Sequence, residues 1–312
     1  MRVRIASLLS LLLFPLCLFF RGDERISKLE DRISIENLKR HVRQLQVDRN
    51  PHDRYAALEE AAHYIREELS KLGFEVNEDP FPWEGKSFTN VWIEKKGGSF
   101  PDNIFILGAH YDTVPGSPGA DDNASGVAVL LEVARALQDF SLDSSVRLVA
   151  FCLEEYGFIG STRYAERANK EGERILGMIS LEMVGFTHQK QQYPAYLDPK
   201  YYPPVGDFIG IIGNTRSAVL LERVQRSFKI HVPRLPSEYL IVPGNGEGME
   251  EATLSDHTPF WHRGLPALMV TDTAFLRNPN YHLPTDTMET LDFEFMRKVA
   301  IGVLSSIVDL AK

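Results

Sequence analysis

Cysteine is nearly absent: Cys17 and Cys152 are the only two in 312 residues. Two cysteines cannot make a disulfide framework or a cysteine-rich zinc finger, so a metal site in this chain has to be built from His, Asp and Glu. Excess positive charge is absent as well. Lys and Arg total 34 against 43 Asp and Glu, a net charge of −9, and no Lys/Arg-rich run stands out. Affinity for a phosphate backbone comes mainly from cationic side chains, which argues against a nucleic-acid partner. Internal repeats and low-complexity segments are lacking, and with 44% hydrophobic and 25% charged residues the chain is neither collagen-like nor wholly disordered. At roughly 100–200 residues per domain the length allows one large domain or two small ones, and a sizeable core.

One long apolar run is present, at the start. Arg2 and Arg4 precede an apolar stretch from Ile5 to Phe20, and the charged Arg21-Gly22-Asp23-Glu24-Arg25 follows at once. A basic n-region followed by an apolar h-region reads as an export signal. The run is short for a spanning helix, which needs roughly 17–25 residues. No small-x-small cleavage site follows it, and Leu16 before Cys17 argues against a lipoprotein. The expectation is that residues 1–22 are a signal peptide, cleaved or kept as a membrane anchor. The rest would lie outside the cytoplasm: periplasmic, secreted or membrane-anchored. No pattern specifies an oligomeric state.

Beyond it, residues 24–50 read as a leading helix. Leu58, Ala62, Ile65, Leu69 and Leu72 recur at helical spacing, with Gly73 as a stop. Extended stretches are expected near 74–77 and 90–94. Short apolar runs at 103–109 and 146–153 have strand length. Between them Val127, Leu130, Ala134 and Leu137 mark a helix, so strand, helix and strand suggest a crossover in a parallel sheet. Further strands are expected at 175–181, 208–212 and 267–271. Phe293, Met296, Ala300, Val303 and Ile307 form the apolar face of a last helix with Asp292 as its N-cap. The fold expected is α/β: a single domain with a mixed, mostly parallel β-sheet sandwiched between α-helices. Residues 186–207 and 233–255 read as long loops, which in compact domains are often binding loops.

The chemistry-bearing residues stand at strand ends, where ligands bind in open α/β sheets. His110-Tyr111-Asp112 follows the run at 103–109, and Asp112 is placed to be the partner of a metal-bound His110. Gly119-Ala120-Asp121-Asp122-Asn123-Ala124-Ser125-Gly126 puts two acids in a Gly-rich turn before a helix. One acid suffices as an N-cap, and crowded carboxylates repel unless a cation compensates them. Glu154-Glu155 leaves the apolar run at 146–153, where one acid can bind metal while its neighbour acts as general base. Glu182 ends another run, and His282 sits in a late loop. Asp256-His257 opens an apparent helix, where Asp256 reads as an N-cap or a site residue with equal weight. His41, His52, His63, His188, His231 and His262 read as ordinary residues. Together, two histidines and several carboxylates at successive strand ends make a thiolate-free site of a kind zinc accepts.

In this order, His110-x-Asp112, Gly-Ala-Asp-Asp122-Asn-Ala-Ser-Gly, Glu154-Glu155, Glu182 and His282 resemble the di-zinc aminopeptidases of metallopeptidase family 28. Ser255-Asp256-His257-x-Pro-Phe and Tyr281-His282-x-x-x-Asp286-Thr287 are similar to the family too, and the resemblance spans roughly residues 55–312. It implies a zinc peptidase catalytic domain over residues 23–312 that hydrolyses the N-terminal bond of peptides with a free N-terminus, using water activated by two Zn2+ ions. It further implies His110 and Glu182 on one zinc, Glu155 and His282 on the other, and Asp122 bridging both. Asp122 is taken over Asp121 because the family's bridging acid lies four residues before the closing Gly126. Glu154 would be the general base and Asp112 would orient His110. Glu182 departs from the Asp more usual in the family, which bears on substrate preference more than on metal binding. Competing readings on the same fold are a glutaminyl-peptide cyclotransferase, a carboxypeptidase or aminoacylase, and a non-catalytic binding homologue. The last is disfavoured because every ligand position is filled.

Overall fold

A computed structural model describes residues 31–138 and 140–312 of the chain. The expected signal or anchor at 1–22 and the first part of the expected leading helix lie outside the described residues. Among the described residues no helix is long and apolar enough to cross a membrane.

The chain order is α1 (Ile35–Leu45), α2 (Tyr55–Lys71), β1 (Val76–Trp83), β2 (Lys86–Lys95), β3 (Phe100–His110), α3 (Gly126–Leu137), β4 (Ser144–Phe151), α4 (Ile159–Lys170), β5 (Arg174–Glu182), β6 (Ile209–Asn214), α5 (Ala218–His231), β7 (Ser237–Val242), α6 (Thr258–His262), β8 (Ala267–Thr271) and α7 (Phe293–Leu310). The strands form one sheet in the order β1-β2-β4-β3-β5-β8-β6-β7. Its centre, β4-β3-β5-β8, is parallel. β1 and β2 add antiparallel at one edge. At the other, β6 runs antiparallel to β8 and parallel to β7. The expected fold, one α/β domain with a mixed, mostly parallel sheet, is what is found.

The central strands are continuous apolar runs because helices cover both faces. One core joins α1, α2, α3, α5 and α7 to the sheet, through residues such as Leu38, Leu58, Val127, Leu221 and Leu304. A smaller core on the opposite face packs Tyr164 and Ala165 of α4 and Phe260 and Trp261 of α6 on Ile106, Val149 and Met178. The predicted apolar stripe of α2 is buried at Leu58, Ala62, Ile65 and Leu69, and Gly73 follows in the left-handed region at φ 81°. Asp292 caps α7 by accepting the N–H groups of Glu294 and Phe295.

Several boundaries differ from expectation. The leading helix ends at Leu45 rather than near residue 50. The stretches expected near 74–77 and 90–94 are parts of one longer hairpin, turned by Glu84 and Gly85 at positive φ. The run expected to 153 stops at Phe151, so Glu154 stands three residues past the strand. Residues 233–255 are not one loop, since β7 lies inside them. β7 is an edge strand with both faces partly open; its four apolar residues Tyr239–Val242 sit between Pro236 and the Gly- and Glu-rich stretch 243–251, whose turn residues dominate the local pattern.

Winding from β3 goes one way to β4 and the other way to β5. The carboxyl end of β3 is therefore a switch point, the place where such sheets open a crevice. His110 is the last residue of β3.

Gly302 of α7 faces the buried ring of Phe228 on α5, where a Cβ would come within 2.3 Å of the ring. Gly302→Val is expected to cost about 1–3 kcal/mol by overpacking. The check is the urea midpoint, and an unchanged midpoint would show that the two helices are not held this closely.

Candidate functional site

Three strand exits and two loops deliver the acidic cluster. β3 ends on His110 and β5 on Glu182. The exit from β4 reaches Glu154 and Glu155 through Leu153, which takes φ 63°; Met183 after Glu182 takes 47° and His282 itself 59°. These left-handed turns in non-glycine residues are locally costly, and such strain gathers where side chains must be aimed.

The structure brings all seven sequence-nominated residues together. His110 Nε2 lies 3.3 Å from Asp122 Oδ1, 3.6 Å from Glu182 and 3.9 Å from Glu154. His282 Nε2 lies 3.1 Å from Asp122 Oδ2 and 3.1 Å from Glu155. Asp122 thus turns one oxygen to each histidine. Two groups of donors within metal-holding range result: His110, Glu154 and Glu182, and Asp122, Glu155 and His282. The first places Glu154 near enough to be a ligand, although it is the farthest of the three carboxylates from His110. Asp112 is 3.7 Å from His110 Nδ1, beyond a hydrogen bond. Its carboxylate instead accepts the N–H groups of Glu154 at 3.0 Å and Glu155 at 3.2 Å. It therefore fixes the β4 exit as much as it faces His110.

Neither acid of the 121–122 pair caps α3. Asn123 instead accepts, through its Oδ1, the N–H of Gly126, the first residue of α3, and that of Met183. The Asp122–Asn123 peptide is cis. Asp121 points away from the cluster: it accepts the N–H of Gly185 and the side-chain amide of Asn278. Asp256 is no cap either. α6 begins at Thr258 with no side-chain cap, and the Asp256 carboxylate is fully buried without a hydrogen bond.

Sequence reading missed the groups that hold the cluster from behind. Asp286 accepts the N–H of both Asp121 (2.9 Å) and Asp122 (3.1 Å). Ser255 donates to Glu182 at 2.9 Å. Tyr281 stacks on His282 with centroids 3.7 Å apart. Arg49 and Arg277, both buried, belong to this layer too. The Asp286 and Ser255 contacts fall inside the two flanking motifs, whereas nothing near Arg49 marked it out. Alongside the cluster opens a partly open pocket, lined by Glu182, Tyr193, Tyr196, Tyr202, Phe208, Tyr239 and Tyr281 among others. Its roof is the 186–207 loop, held down by Gln191, which donates to Thr273 and accepts from Arg277.

The electrostatics are those of a site made for cations. Burial, reinforced by Asp122, pushes Glu155 up to about 8. Burial likewise raises Glu182, and it raises Glu154 far more, with Glu182 and Glu155 adding to it. Burial works against the charge on His282, but the carboxylates of Asp122 and Glu155, each 3.1 Å from its Nε2, lift it to about 10. His110 is raised in the same way, against burial, by Glu154 and Glu182. Asp122 is lowered, against burial, by the two histidines beside its oxygens. Without a cation the cluster must be neutralised by protons.

A metal fits the residues present. His110 Nε2, Asp122 Oδ1, Glu155 Oε1 and His282 Nε2 are buried with no hydrogen-bond partner in the protein. The donors are imidazole and carboxylate, which zinc takes readily.

A family model, peptidase family M28, matches residues 90–307. The uncharacterized protein YfbL of Escherichia coli K12 is 32% identical, over 96% of this chain and 95% of its own length. Aminopeptidase YwaD of Bacillus subtilis is 29% identical over 73% of this chain, which spans only 47% of YwaD. Among solved structures, LapB of Legionella pneumophila matches with a TM-score of 0.74 at 22% identity, covering 93% of this chain and 75% of LapB. A glutaminyl cyclase of Macrostomum lignano shares the fold too, with a TM-score of 0.71 at 17% identity and 92% of each chain.

The raised acids give a pH signature. With Glu155 at about 8, and Asp256 and Asp286 each at about 7 through burial, the folded chain binds more protons than the unfolded one between the ordinary carboxyl range and pH 8. Stability must then fall as pH rises across that window, and His282 at about 10 extends the fall. Chelator-treated protein is expected to melt at a lower temperature at pH 8 than at pH 5.5, and saturating zinc is expected to remove the difference. A metal-free protein more stable at pH 8 would contradict it.

Proposed function

The chain belongs to peptidase family M28, and we propose that it is a zinc-dependent aminopeptidase that removes the first residue of peptides with a free N-terminus. The observation that carries this reading is Asp122 between two histidines, each with further carboxylates at hand. His110 and Glu182 would hold one zinc ion, Glu155 and His282 a second, with Asp122 shared. Zinc bound there would polarise the scissile carbonyl and lower the pKa of water.

The chain's own groups supply the rest. Glu154 is the general base: its carboxylate takes the proton of the attacking water and passes it to the departing amine. Burial and negative neighbours raise its affinity for a proton, and a base so disposed can also act as the acid in the following step. Asp112 keeps Glu154 and Glu155 aimed by binding their N–H groups. The aromatic cavity beside Glu182 receives the side chain of the first residue, and the surrounding carboxylates suit its charged amine. Tyr239, half exposed on the wall of that cavity, would hydrogen-bond the carbonyl oxygen. Residues 1–22 would direct the enzyme out of the cytoplasm, as a cleaved signal or a membrane anchor.

Glu154→Gln is expected to keep its zinc and lose about 10²–10⁴-fold in turnover; a wild-type rate would remove Glu154 from this role. Free aminoacyl anilides should be cleaved and their N-acetylated counterparts left intact. Cleavage of the acetylated form alone would point to an acylase, and ring closure of a Gln-peptide without hydrolysis to a cyclotransferase.

A further inference from the structure

The pocket beside the cluster follows a row of the sheet. Glu182 of β5 pairs in register with Thr271 of β8, Thr271 with Gly210 of β6, and Gly210 with Glu238 of β7. Residues in register on neighbouring strands point to the same face, so these residues form one row across four strands. All of them line the pocket. The row starts in the acidic cluster and ends at a carboxylate on the edge strand. At about 4.8 Å per strand step, its two ends lie roughly 14 Å apart between Cα atoms.

Between the ends the floor is low, because Thr271 is small and Gly210 adds no side chain. The next row on the same face, Met269, Ile212 and Leu240, is apolar and lines the pocket too. From the roof come Tyr193 and Tyr202, with ring centroids 5.2 Å apart. The result is a trough with apolar and aromatic walls and a carboxylate at its far end.

The charge of that trough is one-sided. Glu182, Glu238 and Glu251 line it, and among the described residues no Lys, Arg or His does. The part-buried Glu238 carboxylate has neither a hydrogen bond nor an ion pair among the described residues. Lys229 of α5, the cation that acts on it, is exposed and lies outside the pocket lining. Arg277 packs over Phe208, 4.6 Å from the ring centroid, and its Nε and Nη1 donate to Gln191 and to the Phe186 carbonyl. An apolar first residue would cover Glu238 without answering its charge, at a desolvation cost. A long aliphatic stem ending in a cation would lie on the apolar floor and bring its charge to the carboxylate and the tyrosine faces.

We propose that this trough selects peptides whose first residue is arginine or lysine, with Glu238 as the specificity-determining residue. The inference rests on the reading of the chain as an aminopeptidase. The amine and the scissile carbonyl sit at the cluster, and the side chain runs along the row from Glu182 toward Glu238. A leucine side chain ends short of Glu238.

The test compares kcat/KM of the zinc-loaded enzyme on anilides of arginine, citrulline, lysine and leucine, all with a free amine. Citrulline matches arginine in length and lacks its charge. The wild type is expected to favour arginine over citrulline by roughly tenfold or more, the size of a hydrogen bond to a charged group, and to favour arginine and lysine over leucine. Glu238→Gln is expected to bring the arginine-to-citrulline ratio toward one. A wild type that favours leucine over arginine, a wild-type arginine-to-citrulline ratio near one, or a ratio that Glu238→Gln leaves intact would each overturn the proposal. The wild-type ratios judge it even if the variant fails to fold. Failure to cleave any free aminoacyl anilide would refute the aminopeptidase reading instead. Thermal shifts with free arginine, citrulline and leucine then still judge the trough: a larger shift with arginine, lost in Glu238→Gln, supports it, and equal shifts overturn it.

Discussion

Everything around the site answers to one constraint: too many carboxylates are gathered in too little water. Asp122, Glu154 and Glu182 are almost wholly buried together with Asp112, Asp256 and Asp286. Like charges at such separations cannot all ionise unless cations enter or protons stay. The two histidines, the two buried arginines and the N–H groups aimed at Asp112 and Asp286 are the chain's internal share of that neutralisation. They fall short of the number of acids, and that shortfall would give the cluster an affinity for metal cations.

The fold meets the constraint by dividing labour between rigid and irregular backbone. Parallel strands at the centre of the sheet set His110 and Glu182 on neighbouring strand ends, since β3 and β5 are paired in register. The remaining groups must come from turns, and turns are where the left-handed residues Leu153, Met183 and His282 occur. Each turn is then pinned by a buried polar group: Asp112 at the β4 exit, Asn123 at the β5 exit and Asp286 under the Asp121–Asp122 segment. Precision at the metal-binding atoms is thus a property of the layer behind them. The aromatic cavity is fixed in the same manner, its roof tied down through Gln191 and Arg277.

Much of this was legible in the sequence because it rests on local pattern. Apolar runs of strand length, the stripe of Leu58 to Leu69, and the cap at Asp292 depend on residues near one another in the chain. The order of acidic and histidine motifs picked out the residues that the fold gathers into the cluster because most of these motifs sit at element ends. What was not legible depends on tertiary approach. Arg49 carries no local mark, since its acceptors are carbonyls of residues as far along the chain as Tyr111 and Gly119. Asp121 and Asp122 look alike by local pattern; the family resemblance pointed to Asp122, and the fold turns that one into the cluster and Asp121 toward Gly185 and Asn278. Strand β7 was read as loop because its short apolar stretch Tyr239–Val242 is flanked by Pro, Gly and Glu that read as loop, and only its pairing with β6 makes it a strand. Asp256 was read equally as a cap or a site residue; burial without a hydrogen bond rules out the cap.

The central claim is that the cluster forms two adjoining metal sites sharing Asp122. It is tested most directly by zinc bound per folded chain, measured by elemental analysis after equilibrium dialysis. The account predicts two zinc ions per chain in the wild type and loss of bound zinc in Asp122→Ala with the fold retained. A single zinc in the wild type, or full zinc content in Asp122→Ala, would contradict it.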